Sequence, residues 1–173
     1  MRLTVFDGGQ KVDFAVAPLE VLAEQVERGR LSAIYVRGYR VLLDKDGVAA
    51  RLPRPRGRVT APPLPDETAF RAVVDEFWFE ASEIPKYLAR DEPWVVKFRD
   101  WTMKTLLRML EWHAVATRGA DADVWHIGRH LRDWAAPEFV GRLGIVFGRF
   151  DRTDSWQALL ATCDLFRVDN LRR

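Results

Sequence analysis

Asp13 stands in Lys11–Ala17, where Val12, Phe14 and Val16 alternate with Lys11, Asp13 and Ala15. A period of two is that of a strand with one apolar face, so Asp13 is expected on the other face. Metal-dependent nucleotidyl transfer uses a carboxylate presented this way, provided that two or three acids converge on magnesium, which prefers hard oxygen ligands. One aspartate is not such a site, and a strand Asp facing water is the commoner arrangement. A second group of acids, Asp75, Glu76, Glu80, Glu83, Asp91 and Glu92, lies close in sequence to Trp78 and Tyr87. Carboxylates beside aromatic faces suit a polycationic ligand, through charge-assisted hydrogen bonds and cation–π contact. The same spacing also describes an ordinary solvated helix face.

Other residues carry less. Lys86 follows Pro85, where a helix is disturbed, and a lysine there has the charge to meet a triphosphate; otherwise it is a surface lysine. His126 and His130 are four apart, but a zinc-protease helix needs Glu beside the first His, and this position is Ile127. His113 lies among Trp112, Met109 and Ala116, as a core-edge histidine does, and Cys163 lies on an apolar stripe, as an inert buried thiol does. Arg51, Arg54, Arg56 and Arg58 could touch phosphate, although linker arginines usually face solvent. Walker, dinucleotide-fingerprint and Ser-elbow motifs are absent from the sequence.

These residues need elements to position them. Residues 51–65, RLPRPRGRVTAPPLP, hold five of the nine prolines and read as a linker, because proline biases itself and its predecessor away from regular structure. The part before it, 1–50, reads as a small mixed α/β unit. Arg2–Phe6 and Lys11–Ala17 flank Asp7-Gly8-Gly9-Gln10, a hairpin signal. Pro18 opens a helix over about 18–29. Ile34–Leu43 is expected to contain a further strand. The part after the linker, 66–173, reads as a bundle of about five helices. Asp66 caps the first, which Pro85 should kink or end. Pro93 opens a second, long and central, ending near Gly119. Shorter helices are expected around 122–134 and 137–148, and Asp154 is expected to cap the last.

Composition bounds the class. At 173 residues, 48% hydrophobic and 30% charged, the chain is too apolar for disorder, and it is long enough to hide roughly 70% of its unfolded surface. One cysteine excludes a disulfide framework and a Cys-rich zinc site. Its apolar runs are too short to span a membrane and the start lacks a signal peptide's apolar stretch, so a cytoplasmic protein without membrane partners is expected. The net charge of +2 gives no reason to expect nucleic acid.

Several stretches occur in one order: KVDFAVAPLEVL, VLLDKDG, DEFWFEASEIPKYLARDE, TLLRMLEW and ATCDLFR. Together they resemble the aminoglycoside 6-adenylyltransferase, or streptomycin adenylyltransferase, family over about residues 7–168. The resemblance implies an α+β fold, a nucleotidyltransferase-type mixed sheet followed by a C-terminal helical bundle. It implies transfer of AMP from ATP to a hydroxyl of streptomycin, with magnesium, conferring resistance. It assigns Asp13 to the third catalytic carboxylate and metal ligand, and Lys86 to the ATP triphosphate. Glu76, Trp78, Glu80, Arg90, Asp91 and Glu92 would face the antibiotic, whose guanidinium groups explain an acidic, aromatic cleft.

One departure limits this. Family members carry a Gly-Ser turn and an Asp-x-Asp pair upstream of the third carboxylate, and the twelve residues before Asp13 contain neither. Asp44-Lys45-Asp46 and Asp121-Ala122-Asp123 have the spelling but lie after Asp13. The chain is therefore expected to hold the back half of the catalytic sheet with the whole bundle, as a shortened monomer inactive alone. Two other readings stand beside it. One is a non-catalytic module that binds an aminoglycoside or a nucleotide. The other is a helical interaction protein whose free sheet edge pairs with another chain.

Overall fold

The computed structural model describes residues 1–170. The fold is α+β, and the chain divides into two compact units, Met1–Val59 and Thr60–Arg173.

The first unit opens with an antiparallel hairpin of β1 (Arg2–Val5) and β2 (Lys11–Phe14). Gly8 and Gly9, at φ 84° and 82°, make the turn, and the Phe6 N–H donates to the Gln10 carbonyl at 2.8 Å. Left-handed backbone at two adjacent positions is what the Gly-Gly pair supplies at no Cβ cost. The register sets Leu3 opposite Asp13 and Thr4 opposite Val12. Opposed residues share a face, so Asp13 lies with Lys11, Leu3 and Val5, while Val12 and Phe14 lie on the other face. Pairing stops at Phe14, opposite Arg2, rather than continuing to Ala17.

Helix α1 (Leu19–Glu27) follows Pro18 and stops before Gly29, at φ 59°. The strand expected within Ile34–Leu43 does not form. Ala33–Val36 is instead a single helical turn, α2, in which the Ser32 carbonyl accepts from Tyr35 and Val36. Val41, Leu42 and Leu43 are exposed in irregular backbone. Their composition suits a strand, but a strand exists only through its partner's hydrogen bonds. Among the described residues the sheet has two strands, antiparallel rather than mixed.

The second unit is helical. Its longest member, α3 (Glu67–Ala89), is capped by Asp66, whose Oδ1 accepts from Ala69 N–H at 2.7 Å. Val73, Phe77, Ala81, Ile84 and Leu88 form its buried stripe. Pro85 does not end this helix. The proline forfeits the bond to the Ala81 carbonyl, at a cost of about 3 kcal/mol. Burial of Ile84 and Leu88, at about 1.5–3 kcal/mol each, outweighs that.

The long helix expected from Pro93 to Gly119 is broken into α4 (Pro93–Phe98) and α5 (Thr102–Arg118). At the break the buried Thr102 hydroxyl donates to Asp100 Oδ1 at 2.9 Å, a local side-chain bond that competes with continued helix. Lys97 Nζ ties the end of α4 to the Gly148 carbonyl at 2.7 Å. Three four-residue turns follow, α6 (Leu131–Trp134), α7 (Pro137–Val140) and α8 (Leu143–Val146), shorter than the helices expected there.

The last helix, α9 (Arg152–Asn170), is capped by Asp151 rather than Asp154. Asp151 Oδ1 accepts from the Asp154 N–H, and the Asp154 carboxylate accepts in return from the Arg149 N–H. α5 packs on both α3 and α9. At the centre the rings of Phe77 and Phe166 stack in parallel, with centroids 3.6 Å apart, and both are fully buried.

Candidate functional site

The helical period places Glu76, Glu80, Glu83 and Tyr87 on one side of α3, beside the buried stripe. Two of these acids are engaged. Glu80 is only 14% exposed, and Arg99 Nη1 comes within 3.6 Å of its Oε2, which has no hydrogen-bond partner. Arg99 caps the C-terminus of α4, and its guanidinium lies 5.5 Å from the centre of the Tyr87 ring. Glu83 pairs with Lys86 at 2.5 Å, and Lys86 Nζ is 5.3 Å from the same ring. Carboxylate, aromatic ring and guanidinium thus meet across the α3–α4 turn. Sequence reasoning missed Arg99, because nothing in local periodicity links it to Glu80.

The turn itself carries three expected site residues. Arg90 is the exposed C-cap of α3. Asp91 takes a left-handed conformation at φ 57°, which costs a non-glycine residue roughly 1–3 kcal/mol. The half-buried Glu92 donates its N–H to the Tyr87 carbonyl at 3.0 Å. Glu76 is exposed one turn before Glu80. Trp78 is not brought to these acids. Two positions on from Glu76 is about 200° round a helix. Trp78 instead stands edge-on to Phe77 and Phe166, at centroid distances of 5.0 and 6.0 Å, with the Arg167 guanidinium 5.2 Å from its ring.

Asp13 is exposed on the hairpin and pairs with Lys11 at 3.2 Å. Among the described residues there is no group of three or more His, Cys, Asp or Glu that could hold a metal ion. A magnesium site of converging carboxylates does not fit the residues placed here. His126 and His130 form no such group either, and His130 Nδ1 lies 3.8 Å from Asp133. His113 stands edge-on to Phe139, a core-edge contact. Cys163 is half-buried rather than buried, and its partial burial pushes the thiol up, against the thiolate.

Burial also raises the Asp100 and Glu111 carboxyls. The Thr102 hydrogen bond and Lys97 pull Asp100 back in part, and Arg108 does the same for Glu111. Asp154 is lowered, chiefly by the Arg149 backbone N–H. No described helix is long and apolar enough to cross a membrane.

Comparison with known proteins gives a match to streptomycin adenylyltransferase over residues 2–170. The chain belongs to the streptomycin adenylyltransferase family. An aminoglycoside 6-adenylyltransferase of Campylobacter jejuni is 24% identical over 167 residues, 95% of this chain and 56% of that relative. The chain therefore spans a little over half the length of the curated relative it matches. As a streptomycin adenylyltransferase family member it combines a small sheet-bearing unit with a helical one, and its match runs through the Asp13 hairpin and the α3–α4 turn alike.

Proposed function

We propose that this chain serves the transfer of AMP from ATP to a hydroxyl of a streptomycin-type aminoglycoside, and that its own share of that work is to hold the drug. Family membership supports nucleotidyl transfer as the general chemistry. The observation that carries the drug-binding reading is the setting of Arg99, a guanidinium beside the Glu80 carboxylate and near the Tyr87 ring. That is the environment a drug guanidinium requires, and Glu76 extends the same face by one turn. Arg90, Asp91 and Glu92 line its end, with Asp91 and Glu92 offering further carboxylates to a polycation. Trp78, on the other flank of α3, belongs to the same reading only as a separate aromatic contact.

Lys86 is the residue proposed for the ATP triphosphate, and it would exchange Glu83 for phosphate. Asp13 is proposed as one catalytic carboxylate of a magnesium site that the acids placed here do not complete. Turnover needs further carboxylates beside it, so the 173-residue chain is proposed to bind without reacting. The same reading puts the chain in the cytoplasm as a monomer. That the described residues hold no group of three or more metal-ligating side chains equally favours a second reading, a binding module with no catalysis of its own.

Calorimetry with streptomycin, with and without ATP and magnesium, tests this alongside mass spectrometry of the drug. Saturable binding without an adenylylated product is expected. A product above background would overturn the account of Asp13, and absence of binding would overturn the account of the acidic face.

A further inference from the structure

A cavity of about 310 Å³ opens between α5 and the loop that precedes α6. Met103, Leu107 and Leu110 of α5 form one wall, and Ile127 and Leu131 form the facing one. Leu143 and Phe147 contribute to the rest of the lining. Of ten lining residues the one charged side chain is Lys104, and no carboxylate lines it. The Lys104 ammonium lies 3.6 Å from the centre of the Trp101 ring, and Lys104 is exposed. A space of this size with apolar walls and one placed charge is within the range of small-molecule pockets.

The facing wall is strained. His126, Ile127 and Gly128 take left-handed backbone in succession, at φ 49°, 57° and 72°, and His130 does so at 54°. Only glycine adopts this conformation freely, and a β-branched residue there is an outlier. The loop is pinned in that shape by a bridge between Trp125 and Arg129 and by Trp134 Nε1 donating to the Arg129 carbonyl at 2.9 Å. A Cβ on Gly128 would stand 3.2 Å from Leu107 Cδ1, so the loop also lies close against α5. Ile127, at 81% exposure, is held in water by a backbone that stability alone disfavours. Strain of this kind gathers where a chain clamps a ligand.

We propose that this cavity binds a small molecule with an apolar body and a single anionic head, the body between α5 and the 126–131 loop and the head at Lys104. Ile127 then closes over the apolar body. A polycationic aminoglycoside fits neither the walls nor the lysine, so the site is separate from the acidic face of α3 and does not depend on the reading given to it.

The 173-residue chain is titrated with octanoate, octan-1-ol and octyltrimethylammonium by calorimetry, and the octanoate complex is mapped by amide and methyl NMR. Octanoate is expected to bind one saturable site about tenfold or more tighter than the other two, with shifts at Leu107, Gly128 and Leu131. Lys104→Gln, an exposed change that leaves the core intact, is expected to reduce octanoate to the affinity of the alcohol and to leave streptomycin binding unchanged. Leu143→Phe, which fills the cavity, is expected to abolish binding. Should that variant fail to fold, the NMR map of the unaltered chain still decides the location. Absence of saturable binding, equal affinity for the three compounds, no effect of Lys104→Gln, or shifts confined to other residues would each overturn the proposal.

Discussion

The Arg99 guanidinium lies 3.6 Å from the Glu80 carboxylate across the turn between α3 and α4. Glu80 is the more enclosed partner, 14% exposed against 33%, so the arginine does more for the glutamate than the reverse. Removing a partner from an enclosed charge costs more than making the pair contributes.

Arg99→Met is therefore expected to lower unfolding free energy by about 1–3 kcal/mol. Adding Glu80→Gln should restore part of that loss, because the stranded charge is gone. Urea midpoints of the parent, the two single variants and the double variant measure the coupling. Equal and additive losses would show that the pair does not act as one.

The acidic face and Trp78 lie on opposite flanks of the α3 buried stripe, so their contributions to drug binding separate. Glu76→Gln is expected to weaken streptomycin about tenfold, or about 1.4 kcal/mol. Trp78→Phe, which keeps the edge-on packing against Phe166, should change affinity less than that. Calorimetric titration of both variants checks the order, and a reversed order would move the drug to the Trp78 flank.

Gly148 is required by closeness rather than by its backbone angle. A Cβ there would meet the Asp154 carbonyl and Ser155 Cα, each at 3.0 Å. These are backbone atoms at the start of α9 and cannot turn aside. Gly148→Ala is expected to destabilise by about 1–3 kcal/mol, read from thermal or urea unfolding. It should also loosen the Lys97 contact to the Gly148 carbonyl.

Asp100 and Asp154 should give stability opposite dependences on pH. Burial raises Asp100 above its ordinary 3.8, so the native state holds its proton more tightly than the unfolded state. Stability from this group falls as pH rises from 3.8 through the raised value. Asp154 is lowered, so its contribution is present above 3.8 and is lost as pH falls through the lower native value. Asp100→Asn keeps an acceptor for Thr102 and should remove the first slope. Asp154→Asn should remove the second. Melting temperatures of each variant minus the parent, measured from pH 2.5 to 7, report the two signs.

Much of the local structure could be read directly. Asp66 with Phe70, Val73, Phe77, Ile84 and Leu88 specifies α3, because a cap and a helical period agree. Asp7-Gly8-Gly9 specifies the hairpin, because only a turn uses two adjacent glycines between alternating runs. The break at 99–101 was not legible, since no glycine or proline marks it. It comes from the Thr102 hydroxyl on Asp100 and from Lys97 reaching a carbonyl 51 residues away. Val41-Leu42-Leu43 misled for a related reason: β composition is intrinsic to a segment, whereas a strand partner is not.

By itself, then, the sequence determined which face of β2 carries Asp13 and which side of α3 carries Glu76 and Glu80. Both follow from the repeat of a single element, which neighbouring residues dictate. Only the tertiary structure decided that Glu80 receives Arg99 and that Trp78 turns to Phe166. Those pairings depend on where turns bring distant side chains and on how much water they lose there, and neither quantity is written in a local repeat.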